Sequence, residues 1–200
     1  MKQTSFASAL LAGAGAILLS VLAPSAASAA GTPPPKIVVI DRGAVMRASK
    51  VGQDIVRQIN AYTEQAEKDL KGRGIALRQQ GQQLQQQLAI LSADVKARKM
   101  KEFQAKQNGL QAEAQKKQNL IQGGFIKARG QVEQALGPIL QGIMAERGAN
   151  LMLDRNAVVL GTVDVDVTGL AVQRLNQKLP TVKVELVPPP PGMQQQAAPQ

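Results

Sequence analysis

One narrow apolar stripe in the middle of the chain limits what this sequence can fold into. Residues 52–147 are rich in Gln, Ala, Lys and Glu, and Pro138 is the only proline among them. Apolar residues recur there at steps of three, four or seven, the spacing of one face of a helix. The first series is Ile55, Ile59, Tyr62, Ala66, Leu70, Leu77, Leu84, Leu88, Leu91 and Val95; the second is Met100, Phe103, Leu110, Ala114, Ile121, Phe125, Val132, Leu136, Ile139 and Ile143.

A stripe this narrow buries only a seam, so each helix needs a partner helix. Folding the first series back on the second supplies that partner, with the reversal near Ser92–Asp94, where serine or aspartate can cap the returning helix. We therefore predict an antiparallel hairpin arm over residues 52–147, with its tip near 92–96 and arms of roughly 60 to 75 Å. A compact bundle is the alternative, but it needs wider apolar faces. Residues 79–87 also fit a disordered Gln-rich tract, although the leucine spacing continues through them.

Glycines interrupt the predicted helices, and each costs about 0.5 to 1 kcal/mol relative to alanine. They mark either close packing of backbones or arms that bend around molecules of varied size, and the sequence leaves both explanations open. The positions are Gly72, Gly74, Gly81, Gly109, Gly123, Gly124 and Gly130.

Sheet-forming segments flank the hairpin on both sides, which predicts an α+β fold. Branched apolar residues at Lys36–Asp41 indicate a buried strand before the hairpin. After it we expect strands at 151–154, 157–160, 163–167 and 181–187, with a short helix over 168–179 capped by Thr168 or Asp166 and stopped by Pro180. Residues 31–51 and 148–187 then form a β-rich body too small to be stable alone, so we expect oligomerisation to complete it.

The two ends of the chain indicate export and a disordered tail. Lys2, the apolar run 7–23 and the small residues Ala27-Ser28-Ala29 form a signal peptide over residues 1–30, cleaved after Ala29 or Ala30. The apolar run is shorter than the ~20 residues that a membrane span requires. The mature protein is therefore expected in the periplasm, without an anchor. The Pro- and Gln-rich residues 188–200 are predicted to be disordered.

The composition excludes most catalytic chemistry. The chain has no histidine and no cysteine, which removes the commonest bases, nucleophiles and zinc ligands. Asp154, Asp164 and Asp166 lack the ligand spacing and glycine of a calcium loop, and no phosphate-binding motif is present. We expect no enzymatic activity, no metal and no cofactor.

The charge predicts anionic partners. The formal charge of +10 attracts lipid headgroups or acidic polypeptide, whereas export makes nucleic acid an unexpected partner. Basic residues concentrate at the predicted tip, opposed only by Asp94 and Glu102, and two apolar residues lie among them. The tip is either a solvated face or a contact surface for client segments or anionic lipid. Its candidate contact residues are Lys96, Arg98, Lys99, Lys101, Lys106, Met100 and Phe103.

Three segments resemble one known family. Val39–Gly52 is similar to the opening strand and first helix of the OmpH-like periplasmic chaperones, also called Skp. Leu151–Val159 is similar to their return into the sheet, and Asp166–Thr168 to their ending. The resemblance spans Lys36–Leu179, with the hairpin matching in pattern only, and residues 181–187 and the tail depart from it.

This resemblance implies a homotrimer whose hairpins project around a cavity. It also implies an ATP-independent holdase that keeps unfolded outer-membrane proteins soluble in the periplasm. The alternative is a structural envelope or secretion adaptor whose hairpin docks onto a membrane or a fixed partner. An adaptor is expected to carry a membrane anchor, so the sequence favours the chaperone.

Overall fold

The computed structural model describes residues 34–192, so the predicted signal peptide and residues 193–200 of the predicted tail lie outside the described range. The fold confirms the α+β prediction of a long helical hairpin on a small sheet. None of the helices between residues 34 and 192 is both long and apolar enough to cross a bilayer. The elements are β1 (Ile37–Ile40), α1 (Arg42–Ala48), α2 (Lys50–Leu88), α3 (Ala93–Arg147), β2 (Leu151–Asp154) and α4 (Thr168–Lys178).

The sheet joins the two ends of the hairpin. Strand β1 pairs in parallel with β2, from Ile37 opposite Leu151 to Ile40 opposite Asp154. Two parallel strands need a long crossover connection between them. Here that connection consists of α1, α2 and α3, so the pairing of β1 with β2 fixes the position of the hairpin's base.

The sequence predicted too many strands after the hairpin. Residues 157–160 and 181–187 contain no strand, and 163–167 contains only a bridge from Asp166 to Val39. Short 3₁₀ turns occupy Arg155–Ala157 and Val163–Val165 instead. The first turn forms because the Asp154 carboxylate accepts the backbone N–H of Asn156 at 3.0 Å, which ends the strand at once.

A sharp bend between α1 and α2 directs the hairpin away from the sheet. Ser49 ends α1 and caps α2, because its buried hydroxyl oxygen accepts the N–H of Gly52 at 3.1 Å. A Cβ at Gly52 would lie 1.7 Å from the carbonyl oxygen of Met46. Only glycine therefore fits at this bend.

The hairpin arms differ in length. Helix α2 has 39 residues and α3 has 55, or about 58 and 82 Å at the usual rise per residue. The chain reverses at residues 89–92. Ser92 occupies the N-cap position of α3, but its side chain makes no capping hydrogen bond, so the predicted cap is absent. Gly148 ends α3 in the left-handed conformation with φ of 61°.

The buried core lies at the base of the hairpin. It combines residues of every helix with β1, whereas the seam farther along the arms is only half-buried. The arms therefore stand on a well-packed base and hold together weakly along their length. The fully buried side chains include Val45, Val51, Ile55, Val132, Ile143, Val167, Leu175 and Val184.

Six of the seven glycines named above fall into two groups, and the seventh, Gly81, packs against the Phe103 side chain. A Cβ at Gly123 would lie 2.0 Å from the Val187 carbonyl oxygen, and one at Gly124 would lie 2.7 Å from that of Glu185. Close packing therefore explains these two glycines. Nothing lies within 4 Å of a Cβ built at Gly72, Gly74, Gly109 or Gly130.

We expect alanine to have opposite effects at the two kinds of position. Gly109→Ala should raise the free energy of unfolding by about 0.5 to 1 kcal/mol, because alanine has a higher helix propensity than glycine and its methyl group disturbs no contact. Gly123→Ala should lower it, because the new methyl group meets the Val187 carbonyl. Urea unfolding followed by circular dichroism measures both. A gain at both positions would contradict the close packing at Gly123.

Candidate functional site

An open cleft lies between the arms near the tip, and we call it the distal cleft. Its volume is about 540 Å³. Apolar side chains of both helices form its walls, and glycine, glutamine and arginine residues complete the lining. The apolar lining consists of Leu77, Leu84, Leu88, Met100, Phe103 and Leu110.

The two apolar residues predicted at the tip both line the distal cleft. Phe103 packs across the hairpin against Gly81, where a Cβ would lie 2.9 Å from the ring. Met100 is half-exposed, at 50% of its free surface. The side chain of methionine is flexible and polarisable, which suits contact with apolar groups of varied shape.

The predicted basic residues lie on the first turns of α3, and the structure does not gather them in the cleft. Lys106 donates a hydrogen bond to Gln80 at 3.1 Å. Within residues 34–192, Lys96, Arg98, Lys99 and Lys101 form no ion pair. Lys96 also lies near the N-terminus of α3, where the helix dipole disfavours positive charge. These charges therefore do not stabilise the fold through ion pairs.

A second surface lies between α2 and α3 near their base, and the sequence did not predict it. We call it the base groove, formed by Asp54, Gln58 and Tyr62 on α2 and Gly123 and Gly124 on α3. The chain's own residues 181–190 fill it as an extended segment, which we call the C-terminal segment.

The base groove holds the backbone of the C-terminal segment. The Gln58 amide oxygen accepts the Val184 N–H at 2.9 Å, and its NH₂ group donates to the Val182 carbonyl at 2.8 Å. The Tyr62 hydroxyl donates to the Val184 carbonyl at 3.2 Å. Val184 itself is fully buried in the core.

Polar side chains also contact the rim of the segment. Lys127 pairs with Glu185 at 2.6 Å between side chains that are about half exposed, so this ion pair contributes little stability. It lowers the pKa of Glu185 below its ordinary value. A hydrogen bond from Thr181 lowers the pKa of Asp54, with further hydrogen bonds from Arg57 and Gln58 acting in the same direction.

Two sequence signals could have indicated the base groove. The adjacent pair Gly123-Gly124 within a helix marks a close approach of another backbone. The alternation of Val182, Val184 and Leu186 marks an extended segment with one apolar side. Neither signal says that the extended segment packs on the helices, since alternation is equally typical of an edge strand.

The carboxylates of the body have structural roles. Asp166 accepts the Thr168 N–H at 2.8 Å and pairs with Arg155 at 3.2 Å. The N-cap position of α4 is Val167, which has no side-chain capping hydrogen bond, so the predicted cap by Thr168 or Asp166 is wrong. Asp154 caps the adjacent 3₁₀ turn. Between residues 34 and 192, no three His, Cys, Asp or Glu side chains are grouped so that they could hold a metal ion.

The comparisons with known proteins agree with this architecture. A family model described as outer membrane protein (OmpH-like) matches residues 36–175. The chain belongs to the OmpH-like family. The matched range includes the sheet, the hairpin and most of α4, but it ends before the C-terminal segment. The base groove of this OmpH-like chain is therefore filled by residues outside the family match.

A solved structure supports the fold of this OmpH-like chain. It is a crystal structure of a candidate outer membrane chaperone (OmpH-like) from Caulobacter crescentus CB15, with a TM-score of 0.71 and 22% sequence identity. The match covers 82% of this chain and 96% of that one. No curated protein matches the chain.

Proposed function

We propose that this chain is an ATP-independent holdase of the periplasm, which binds unfolded outer-membrane proteins and prevents their aggregation. The observation that carries the proposal is the incompletely buried apolar seam of the hairpin. Its leucines are only half-buried, and large apolar side chains beside it are exposed. Examples are Val56 at 52%, Ile75 at 47%, Ile90 at 86% and Met100 at 50% exposure.

Such a surface suits weak contacts at many points. Each exposed apolar side chain contributes a small favourable free energy of binding to an unfolded polypeptide. Once one contact has formed, the others form at a high effective concentration, so the overall affinity exceeds that of any single contact. No single contact needs a defined sequence. Release then requires no nucleotide, because each contact breaks readily. Membership of the OmpH-like family supports the same function.

The central test is aggregation of a client. A urea-unfolded outer-membrane barrel protein is diluted into nucleotide-free buffer, with and without the mature chain, and light scattering is recorded. We expect the chain to suppress scattering. Replacing Ile75 and Met100 by glutamine should weaken the suppression several-fold, because both side chains are about half exposed on the arms. Gln86→Ala, at an exposed polar position, is the control.

Equally fast aggregation with and without the chain would contradict the holdase function. A chain that leaves aggregation unchanged but forms a stable complex with one envelope protein would instead be an adaptor.

We also propose that the working unit is a homotrimer joined through the body. Among residues 34–192, β2 pairs only with β1, so its outer edge is open to another chain. The segment after β2 also exposes large apolar side chains, Val159 at 103%, Leu160 at 92% and Val163 at 92% of their free surface, and the 3₁₀ turn that begins at Val163 contacts β1. Such a cluster is typical of an interface between subunits.

Sedimentation velocity tests the assembly. We expect the mature chain to sediment as a trimer and the variant Leu160→Asp/Val163→Asp as a monomer, because two carboxylates would be buried without partners. Ile90→Asp is the control, since Ile90 is similarly exposed, at 86%, but lies at the hairpin turn. A monomeric wild-type chain, or a trimeric double variant, would contradict this interface.

For the tip we propose contact with acidic client segments or anionic lipid. Lys96, Arg98, Lys99 and Lys101 are free of ion pairs among residues 34–192 and so remain available to such partners. Met100 and Phe103 would supply apolar contacts beside them in the distal cleft, and Lys106 lies on the next turns of the same helix.

Liposome binding tests the charges of the tip. Changing Lys96, Arg98, Lys99 and Lys101 to glutamine should lower binding to phosphatidylglycerol vesicles about tenfold or more at low salt, since each charge contributes up to ~1 kcal/mol. The control changes Lys50, Lys68, Lys71 and Lys116 to glutamine, which removes the same charge from exposed positions of α2 and α3 outside the distal cleft. Equal loss in both variants would show that only net charge matters, and no loss would exclude lipid as a partner.

A further inference from the structure

We propose that the base groove is a binding site for extended polypeptide with apolar side chains at alternate positions, and that the C-terminal segment is its displaceable resident ligand. The identity of the incoming polypeptide rests on the proposed function. The groove itself is defined by contacts already present within this chain.

The groove recognises backbone more than side chains. Gln58 bonds one N–H and one C=O of the segment, and Tyr62 bonds a further C=O. These groups occur in every polypeptide, so their recognition does not depend on sequence. A strand added to a sheet edge is recognised through the same groups; here one glutamine of a helix and one tyrosine take the place of the edge.

The shape of the groove selects extended chain. Without side chains at Gly123 and Gly124, α3 lets the backbone at Glu185 and Val187 approach within contact distance. A helical segment is too wide for such an approach, because its side chains surround its backbone. The Val184 side chain is fully buried, whereas Lys183 and Glu185 are exposed. The groove therefore requires an apolar residue at one central position and tolerates polar residues on both sides.

This requirement describes the strands of outer-membrane barrels. In such strands apolar and polar residues alternate, because one face meets lipid and the other meets the lumen. The sequence Thr181-Val-Lys-Val-Glu-Leu186 has the same alternation, which ends at Val187. The resident segment thus has the chemistry of an unfolded barrel strand.

The covalent link of the segment sets a threshold for displacement. Only Leu179 and Pro180 separate α4 from the segment, and such short tethers give effective concentrations of about the millimolar range. A short peptide at micromolar concentration cannot compete with it. A client held by the arms at several other points has a high effective concentration of its own and can do so.

The test uses a fluorescent peptide of residues 181–190 and the full mature chain. Val184→Asp should release the resident segment, because a carboxylate at this buried position has no partner. Leu186→Asp makes the same change of charge at a position that is 43% exposed, so it should leave the segment in place. We expect the V184D chain to bind at least tenfold more peptide than the L186D chain, measured by anisotropy.

Variants of the groove locate the bound peptide. Adding Gly124→Val to the V184D chain should abolish peptide binding, because the new side chain fills the place of the Glu185 carbonyl. Gly130→Val, in the same helix with open space around it, should not. A peptide that itself carries Val184→Asp should not bind. Unfolded barrel polypeptide should displace the bound peptide from the V184D chain.

If the V184D chain loses its helical circular dichroism signal, proteolysis provides a second way to release the C-terminal segment. A protease site inserted after Pro180 allows the intact chain to fold before it is cut, and the freed segment should then dissociate on dilution and expose the groove. If the peptide binds neither the V184D nor the cut chain, or binds the L186D chain equally, the inference is overturned. Displacement of the peptide by unlabelled wild-type chain, but not by unfolded barrel polypeptide, would assign the groove to a second copy and also overturn it.

These outcomes are separable from those of the aggregation test. A wild-type chain that suppresses aggregation while no peptide binds would refute the groove and leave the holdase function intact. Peptide binding without any suppression of aggregation would refute the holdase function alone.

Discussion

The parallel pairing of β1 with β2 is the constraint on which the rest of the fold depends. It brings together two chain positions that the whole hairpin separates, and it places the start of α2 beside the end of α3. Every residue of the core then packs around this junction, including Val167 and Leu175 from the last part of the chain. The backbone N–H of Val167 also donates to the Val39 carbonyl at 2.9 Å, which fixes α4 against the same strand.

The junction also creates the base groove. Once α2 and α3 are held side by side, Gln58 and Gly124 lie on the two sides of a channel as wide as one extended chain. The C-terminal segment closes this channel and adds Val184 to the core. One set of contacts thus completes the packing of the base and occupies a surface suited to other polypeptides.

The hairpin could be predicted from sequence because a helical seam repeats over many residues, and each repeat adds to the signal. The first strand was predictable because burial of Val38, Val39 and Ile40 requires consecutive apolar residues, and such a run is visible in the sequence. The later strands were not, since side-chain capping at Asp154 ends β2 after a few residues. The base groove was not predictable, because the alternation of Val182, Val184 and Leu186 is equally typical of an edge strand. The groove itself depends on one glutamine, one tyrosine and two glycines that only the fold brings together.

The decline of burial from the base to the turn gives the arms a graded local stability. Opening of a helix pair is easiest where few apolar contacts must separate. The turn and its neighbouring residues should therefore exchange their amide hydrogens fastest, and residues around Ile55 and Ile143 slowest. Such fraying exposes more of the leucine seam while the sheet stays intact. Local separation of the two helices can thus increase the apolar surface that the arms offer to a client, without global unfolding of the domain.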